Sequence, residues 1–156
     1  MAEMRVLTVR QPWAWAIIYA GKDIENRTRN VAGDYRGPLA IHVATKYATE
    51  GLDLRALDDA CDRWHDALDA DCNHHPWQAD VGAIIGVVDL VGVHESGAGF
   101  DHKTRKVQAC SPWADWEGWH LELANARQLA QPIPYRGGLG LRRLPADITE
   151  QIEGPS

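Results

Sequence analysis

The sequence has few cysteines and lacks long hydrophobic runs. Its 3 cysteines are an odd number without a CxxC spacing, so we expect no disulfide framework and a reducing compartment. No apolar run approaches the length that spans a bilayer, and the first residues contain no basic region leading into a long apolar segment. We therefore expect a cytoplasmic protein that does not enter a membrane.

The sequence also lacks the cysteine and histidine spacings of established zinc motifs. Five potential ligands do lie near one another along the chain, namely Cys61, His65, Cys72, His74 and His75. Because none of their spacings matches a zinc pattern, we expect neither a metal site nor a cofactor. A metal analysis would test this cluster directly.

A surplus of acidic residues argues against general affinity for nucleic acid. The formal net charge is -6, and non-specific binding to polyanions depends on lysine and arginine. The acidity is concentrated, however, because residues 1–48 contain 7 Lys/Arg against 4 Asp/Glu, whereas residues 49–80 contain 2 against 9. A basic N-terminal region can meet an anionic ligand while the acidic segment repels long polyanions. This favours a small or single-stranded target over a duplex.

The length of 156 residues, of which 45% are hydrophobic, indicates one globular domain over residues 1–156 with its own core. Segments with strand-like composition predict strands at Met4–Val9, Leu39–Ala44, Ala83–Glu95, Trp119–Ala126, Gln128–Ile133 and Leu139–Leu144. The segment at 83–95 is long for one strand, so we expect a bend or bulge near Gly86 or Gly92.

Two segments predict helices. Pro12 suits the first turn of a short helix that ends before Gly21. Apolar residues at steps of three and four predict an amphipathic helix over residues 50–70, with solvent-facing aspartates and Trp64 in the core, inside an acidic segment at about 49–80. Residues 71–80 and 96–108 are expected to be loops, and the chain to finish in a short acidic tail. This order indicates an α+β fold, a small mixed or antiparallel β-barrel with flanking helices.

The run from Gly21 to Arg27 crowds three ionisable side chains into the turn after the first helix. Beyond Gly21 the pattern alternates, so Glu25 and Arg27 share one face of an extended segment. Such a cluster is often a solvated ion-pair patch. Alternatively, Lys22 acts as a base or nucleophile, and Glu25 activates water or accepts hydrogen bonds from an exocyclic amine. Lys22 and Glu25 are therefore the candidate catalytic residues.

The candidate ligand-binding residues are polar or aromatic. Arginines suit phosphate or carboxylate oxygens, and tryptophan faces stack nucleobases, although arginines also clamp folds and tryptophans, such as Trp119 here, often belong to cores. Alternation places His42 opposite Ile41 and Val43, so we expect it to face the outside or a cleft. The candidates are Arg27, Arg10, Gln11, Trp13, Arg36, His42, Ser111 and Trp113.

An ordered set of segments resembles the ASCH domain family, which is PUA-like. The set comprises Leu7–Ala14, the Gly21-Lys22-x-x-Glu25-x-Arg27 run, Tyr35–His42, Gly82–Leu90, Ser111–Trp113 and Pro132–Leu141, and it covers nearly the whole chain. Two positions depart from the family pattern. Gly21 adjoins Lys22 where the usual signature has one residue between them, and Arg142 stands where many relatives carry a tryptophan.

The resemblance implies a PUA-like barrel that holds RNA or a modified nucleoside over Lys22, Glu25 and Arg27. Part of the family hydrolyses the acetyl amide of N4-acetylcytidine with a lysine, a threonine three residues on and a distant glutamate, and Glu25 stands here where that threonine would fall. An alternative is therefore an amidohydrolase acting on an acylated nucleoside, with backbone amides near Ser111 stabilising the oxyanion. A third possibility is an interaction domain whose acidic helix docks on an unknown basic protein.

Overall fold

The structure is a computed structural model that describes residues 3–68, 80–96, 100–101, 103, 106–107 and 110–154. Eight strands and three helices lie within these described residues. Their order is β1 (Arg5–Val9), α1 (Trp13–Tyr19), β2 (Ile24–Arg27), β3 (Gly37–Val43), α2 (Arg55–Leu68), β4 (Ala83–Glu95), β5 (Phe100–Asp101), β6 (Lys106–Val107), β7 (Trp119–Pro134), β8 (Arg142–Arg143) and α3 (Ala146–Glu153).

Six strands form one mixed sheet in the order β2-β7-β4-β3-β1-β8. β1 and β3 run parallel, with Val6 opposite Ala40, and the other neighbouring strands run antiparallel. β2 and β8 are the two edges, so the sheet is a half-barrel flanked by helices. The predicted α+β fold, a mixed sheet with flanking helices, is confirmed.

The two longest strands, β4 and β7, are irregular where they pair. The register shifts between Ile84 and Gly86 and again between Leu90 and Gly92, at the two glycines where a bulge was expected. β7 is one strand where the sequence predicted two. A further register shift occurs around Asn125, whose φ is +52°. This irregularity accounts for the break in the sequence pattern of β7 that led to the prediction of two strands.

Both faces of the sheet are covered. On one face, α1 packs through Ile17 onto buried residues such as Leu7 and Leu121. On the other face, Ile148 and Ile152 of α3 pack against a second buried cluster formed by Met4, Val6, Ala40, Ile84, Val87 and Leu144. The residues of β1 and β3 are therefore largely buried, whereas most residues of β7 after Leu123 are exposed.

The C-terminal segment differs from the prediction. The last strand is the two-residue β8 rather than residues 139–144, and α3 replaces the expected acidic tail. Ile148 and Ile152 stand one helical turn apart, and both are partly buried against the same cluster, which stabilises the helix. The sequence signal for α3 is Pro145 followed by this spacing, because proline is favoured near helix starts.

The acidic segment and the following loop also needed correction. α2 begins at Arg55 rather than Glu50, because the Leu54 N–H donates to the Gly51 carbonyl in a preceding turn. Trp64 is only partly buried beside α2's buried residues. β5 and β6 form an antiparallel hairpin inside the predicted loop at 96–108; strands of two residues are too short to show an alternating pattern.

The predicted loop at 71–80, with Cys72, His74 and His75, lies outside the described residues except for Asp80. Within the part of the chain that is described, no helix combines the length and apolar character needed to cross a membrane.

Candidate ligand-binding cleft

The turn after α1 directs the Lys22 side chain into the protein. Gly21 has a φ of +74°, a conformation that glycine adopts without steric cost. The Lys22 N–H then donates to the Ala16 carbonyl at 3.0 Å, the same carbonyl that accepts from Ala20. This tight turn places Lys22 beneath the helix, and only 3% of the residue is exposed.

Lys22, Glu25 and Arg27 form a connected ion cluster. Lys22 Nζ lies 3.1 Å from Glu25 Oε1 and also donates to the Ile24 carbonyl. The other carboxylate oxygen, Oε2, accepts from Arg27 Nε at 3.0 Å and forms an ion pair with Arg27 Nη2 at 2.8 Å. Glu25 is 6% exposed, so Lys22 and Glu25 do not form a solvated patch.

The charges in this cluster leave a net positive site. Burial alone would raise the pKa of Glu25, but the opposite charges and hydrogen bonds of Lys22 and Arg27 outweigh it and lower that pKa below 4.5. Glu25 is therefore ionised at neutral pH. Two cations surround one carboxylate, which favours an anionic ligand nearby.

Two further contacts fix the cations. The Arg27 NH2 group donates to the Thr8 carbonyl at 3.0 Å, which ties β2 to the end of β1. Lys22 Nζ lies 5.7 Å from the centroid of the Trp13 ring, within the range of a cation–π interaction. The ion cluster thus braces the fold as well as charging the site.

A cleft of about 920 Å³ opens above the ion cluster. Its volume lies in the range of small-molecule sites. Charged and aromatic residues line it, including Arg10, Trp13, Lys22, Glu25, Arg27, Lys46, Trp113 and Trp116. Of the predicted site residues, Lys22, Glu25, Arg27, Arg10, Trp13 and Trp113 are therefore brought together.

Asn26, which the sequence analysis missed, holds one wall of the cleft. Its side-chain amide donates to the Trp113 carbonyl at 2.9 Å, and its Oδ1 accepts from the Asp115 N–H at 2.9 Å. Asn26 follows Glu25 on β2, and its polar side chain within a short strand is the signal that could have identified it.

Ser111 and Gln11 support the cleft without lining it. The Ser111 hydroxyl donates to Asp23 Oδ1 at 2.5 Å and accepts from the Trp113 N–H at 3.1 Å. Gln11 Oε1 accepts from the Trp15 N–H at 2.8 Å near the start of α1. Both predicted residues are buried, so they position neighbouring segments.

Arg36 and His42 lie apart from the cleft lining. Arg36 is exposed and donates to the carbonyls of Gly33 and Tyr35. His42 is only 3% exposed, so the expectation that it faces the outside or a cleft is wrong. The cause is the covered second face of the sheet, since the segment containing Tyr135 packs over His42.

The His42 ring belongs to a buried hydrogen-bond network. Nε2 lies 2.7 Å from the Tyr135 carbonyl and must donate to it, so Nδ1 accepts from the Thr8 hydroxyl at 3.1 Å. The same hydroxyl accepts from the Gly138 N–H. Burial lowers the pKa of His42 below 6.5, which agrees with a neutral ring. A Cβ at Gly137 would approach the Thr8 Oγ1 to 2.5 Å.

The tryptophans after Ser111 also differ from expectation. Trp113 is buried and lines the cleft, as proposed for a site residue. Trp116, which was not chosen, is 67% exposed and lines the cleft. Trp119, expected in the core, is only partly buried at the start of β7. Trp113, Trp116 and Trp119 recur at intervals of three, but this spacing could not distinguish their positions because the segment is not helical.

Comparison with known proteins agrees with this architecture. The ASCH domain family matches residues 7–133. A tyrosine-to-phenylalanine mutant of ASCH from Zymomonas mobilis superimposes with a TM-score of 0.53 at 14% identity, covering 97% of each chain. A serine-to-alanine mutant gives 0.53 at 14%, and the ASCH crystal structure gives 0.50 at 12%, each covering 97% of this chain and 94% of that one. At such identities the likeness shows the fold alone.

Among curated proteins, none matches the sequence.

Proposed function

The chain belongs to the ASCH domain family, and we propose that its cleft binds single-stranded RNA or a modified nucleoside. The observation that carries the proposal is the meeting of two features in one cleft. A buried, net positive ion cluster lies among the lining residues, and the exposed ring of Trp116 lies with it. Nucleotides offer the matching pair of groups, a phosphate and a flat base.

The cationic residues suit the phosphate. Arg10 and Lys46 are exposed and line the cleft. Arg27 also lines it and lies 2.8 Å from Oε2 of the buried Glu25. Arginine presents a planar fork of donors that matches phosphate oxygens, and lysine adds a point charge. Contacts of this kind release counterions and make binding depend on salt.

The aromatic residues suit the base. Trp116 offers an exposed face, and Trp13 and Trp113 contribute apolar surface to the same cleft. Stacking on an aromatic side chain contributes roughly 1–3 kcal/mol per base in single-strand binding proteins. An ionised carboxylate has lone pairs on both oxygens, so Glu25 can also accept from an exocyclic amine that reaches it.

Acidic residues on one side of the cleft favour a short or single-stranded ligand. Glu50 and Asp53 line the cleft before α2, and α2 itself exposes Asp58, Asp59 and Asp62. These charges repel a long duplex that approaches from this side. Leu57 and Ala60 pack α2 onto the tryptophan cluster that includes Trp113. We therefore propose that the acidic face of α2 shapes the cleft, and we rank this role above the docking of a protein partner.

Hydrolysis of an acylated nucleoside is the second candidate. Its specific support is the placement of Lys22 beside the ionised Glu25 in the cleft, where a water molecule could be oriented toward an acyl carbon. We rank it below binding because the Lys22 Nζ already donates to Glu25 and to the Ile24 carbonyl. Mass spectrometry of N4-acetylcytidine incubated with wild-type protein and Lys22→Ala tests it: release of cytidine by the wild type alone would establish hydrolysis.

Binding is tested by fluorescence anisotropy with a labelled single-stranded RNA oligonucleotide and with its duplex. We expect the single strand to bind more tightly. Trp116→Ala should weaken its binding roughly 5- to 150-fold, the equivalent of one lost stacking contact. Trp116→Phe retains a ring and should bind nearly as the wild type does. Tyr19→Ala removes an exposed ring outside the cleft lining and is the matched control. Equal affinity in Trp116→Ala and wild type would refute stacking in this cleft.

A further inference from the structure

A second cluster of side chains lies at the end of the β4–β7 pairing. His94 on β4 and His120 on β7 stand directly opposite each other in the antiparallel ladder. His94 Nε2 is 3.1 Å from His120 Nδ1, and Cys110 Sγ is 3.3 Å from the same His120 atom. The three atoms all lie within 4.8 Å of one another.

In each ring, the nitrogen that points away from the cluster, here called the outer nitrogen, faces an oxygen acceptor. His120 Nε2 is 2.9 Å from the Asp115 carbonyl, so this nitrogen carries the proton. His94 Nδ1 is 3.4 Å from Glu122 Oε2, and a proton there satisfies the carboxylate. With both outer nitrogens protonated, the inner nitrogens, His94 Nε2 and His120 Nδ1, carry lone pairs that face each other.

Two lone pairs that face each other at 3.1 Å repel, and a cation between them would remove this repulsion. We propose that His94 Nε2, Cys110 Sγ and His120 Nδ1 bind a zinc ion. Zinc takes histidine nitrogens at about 2.0–2.1 Å and cysteine sulfur at about 2.3 Å, so tetrahedral ligands stand roughly 3.3–3.6 Å apart. The closest two pairs in this cluster are within a few tenths of an ångström of that separation.

The surroundings of the cluster match those of a metal site. Zinc-binding histidines commonly donate their second N–H to a carboxylate or a backbone carbonyl, which fixes the ring. Here Glu122 serves His94, and the Asp115 carbonyl serves His120. Cys110 is exposed, which gives the ion a path from solvent. Three protein ligands leave a fourth position for water or for the Glu122 carboxylate.

This site is connected to the cleft through Asp115. The carbonyl of Asp115 holds His120, while its N–H donates to Asn26 Oδ1 in the cleft wall. A zinc ion on Cys110 and His120 would therefore fix both ends of the segment that carries Trp113 and Trp116. We assign the ion a structural role in holding this wall, which is independent of whether the cleft binds RNA.

Sequence spacing does not identify this trio. His94, Cys110 and His120 are separated by intervals that match no short zinc motif, and strand pairing brings the two histidines together. The cysteines and histidines that are close in sequence lie in a different part of the chain. The structure therefore brings together a different set of candidate metal ligands from the set that is close in sequence.

The test is zinc stoichiometry of the full-length protein after equilibration with Zn²⁺ and a chelator of micromolar affinity. We expect one ion per chain in the wild type and its loss in Cys110→Ser and in His120→Ala. The double variant Cys61→Ser/Cys72→Ser removes cysteines outside the trio and is the matched control, which should retain the ion. Zinc lost from the control but kept in Cys110→Ser would overturn the assignment, as would a wild type that retains no zinc.

Cobalt substitution keeps the proposal testable if a variant fails to fold. Co²⁺ bound to a cysteine thiolate gives a ligand-to-metal charge-transfer band, and tetrahedral coordination gives intense visible bands. Wild-type protein titrated with Co²⁺ should show both, and Zn²⁺ should displace them. A Co²⁺ spectrum without the thiolate band would contradict coordination by Cys110, and an unchanged spectrum would mean that the two rings share a proton instead.

Discussion

Lys22 Nζ lies 3.1 Å from Glu25 Oε1, and both side chains are shielded from solvent at the cleft. Arg27 forms an ion pair with the other carboxylate oxygen, Glu25 Oε2. The same contacts that charge the cleft therefore also hold the turn after α1 against β2. Substitutions in the ion cluster are expected to change both stability and binding. Substitutions of exposed cleft residues such as Arg10 and Trp116 are therefore better suited to measure binding alone.

The Lys22–Glu25 pair should show strong energetic coupling. Lys22→Met leaves the buried Glu25 carboxylate with Arg27 as its only charged partner in the cluster. Breaking a buried ion pair costs about 3–5 kcal/mol when no other partner remains. Because Arg27 remains, this range is an upper bound on the loss of unfolding free energy. Glu25→Gln added to Lys22→Met should restore part of the loss. Urea unfolding of the two single variants and the double variant measures the coupling, which we expect to exceed about 1 kcal/mol. Lys46→Met, an exposed lysine at the same cleft, is the control.

Acid should destabilise the protein partly through Glu25. Its pKa in the folded state lies below 4.5, so between that value and 4.5 the unfolded chain binds more protons. The stabilisation is present above about pH 4.5 and is lost as pH falls through the folded pKa. Urea midpoints of wild type and Glu25→Gln, taken from about pH 3 to about pH 6, should converge at the acid end. A difference that stays constant over this range would contradict the ion cluster.

His42 should make the protein less stable below its ordinary titration range. Burial holds the pKa of the folded-state ring below 6.5, so the unfolded chain takes up the proton first as pH falls. The contribution is complete above about pH 6.5 and declines below it. NMR titration of the His42 ring should give a midpoint under 6.5. A midpoint at or above that value would show that burial does not hold the ring neutral.

Gly137→Ala should be destabilising because an added Cβ would lie 2.5 Å from Thr8 Oγ1 and 2.6 Å from the His42 ring. Overpacking of a closed site costs typically about 1–3 kcal/mol. Gly138→Ala is the matched control, since its Cβ meets the side chain of the exposed Arg142, which can move. Thermal unfolding of the two variants should rank Gly137→Ala clearly lower, and equal values would be inconsistent with the network.

Arg10 should account for part of the salt dependence of RNA binding. Each phosphate contact in a single strand contributes a slope of about -0.7 in log affinity against log salt. Arg10→Ala should reduce the steepness by about this amount. Arg36→Ala removes an exposed arginine that does not line the cleft and should leave the slope unchanged. Anisotropy measured at several salt concentrations gives both slopes.

The sequence predicted local features well. α1, β1, β3 and β4 followed from hydrophobic periodicity and turn residues, because both depend on neighbours along the chain. The ion cluster could be identified because Lys22, Glu25 and Arg27 lie within six positions of one another, although only the structure revealed their burial.

Features that depend on distant contacts escaped the sequence. His42 was expected to be exposed because α3 and the segment near Tyr135, which cover its sheet face, were not predicted. The exposure of Trp116 and the contacts of Asn26 depend on how residues 111–118 fold over β2. The facing rings of His94 and His120 depend on the register of β4 and β7.

Nucleic-acid binding in the cleft lined by Lys22, Glu25 and Arg27 can be tested by NMR titration of labelled protein with a short single-stranded RNA, following backbone amides and tryptophan indole signals. We predict that the largest shift changes occur at the Trp116 indole and at the amides of Asn26 and Asp115. Changes confined to the acidic face of α2, or no changes at any RNA concentration, would rule out RNA binding in this cleft.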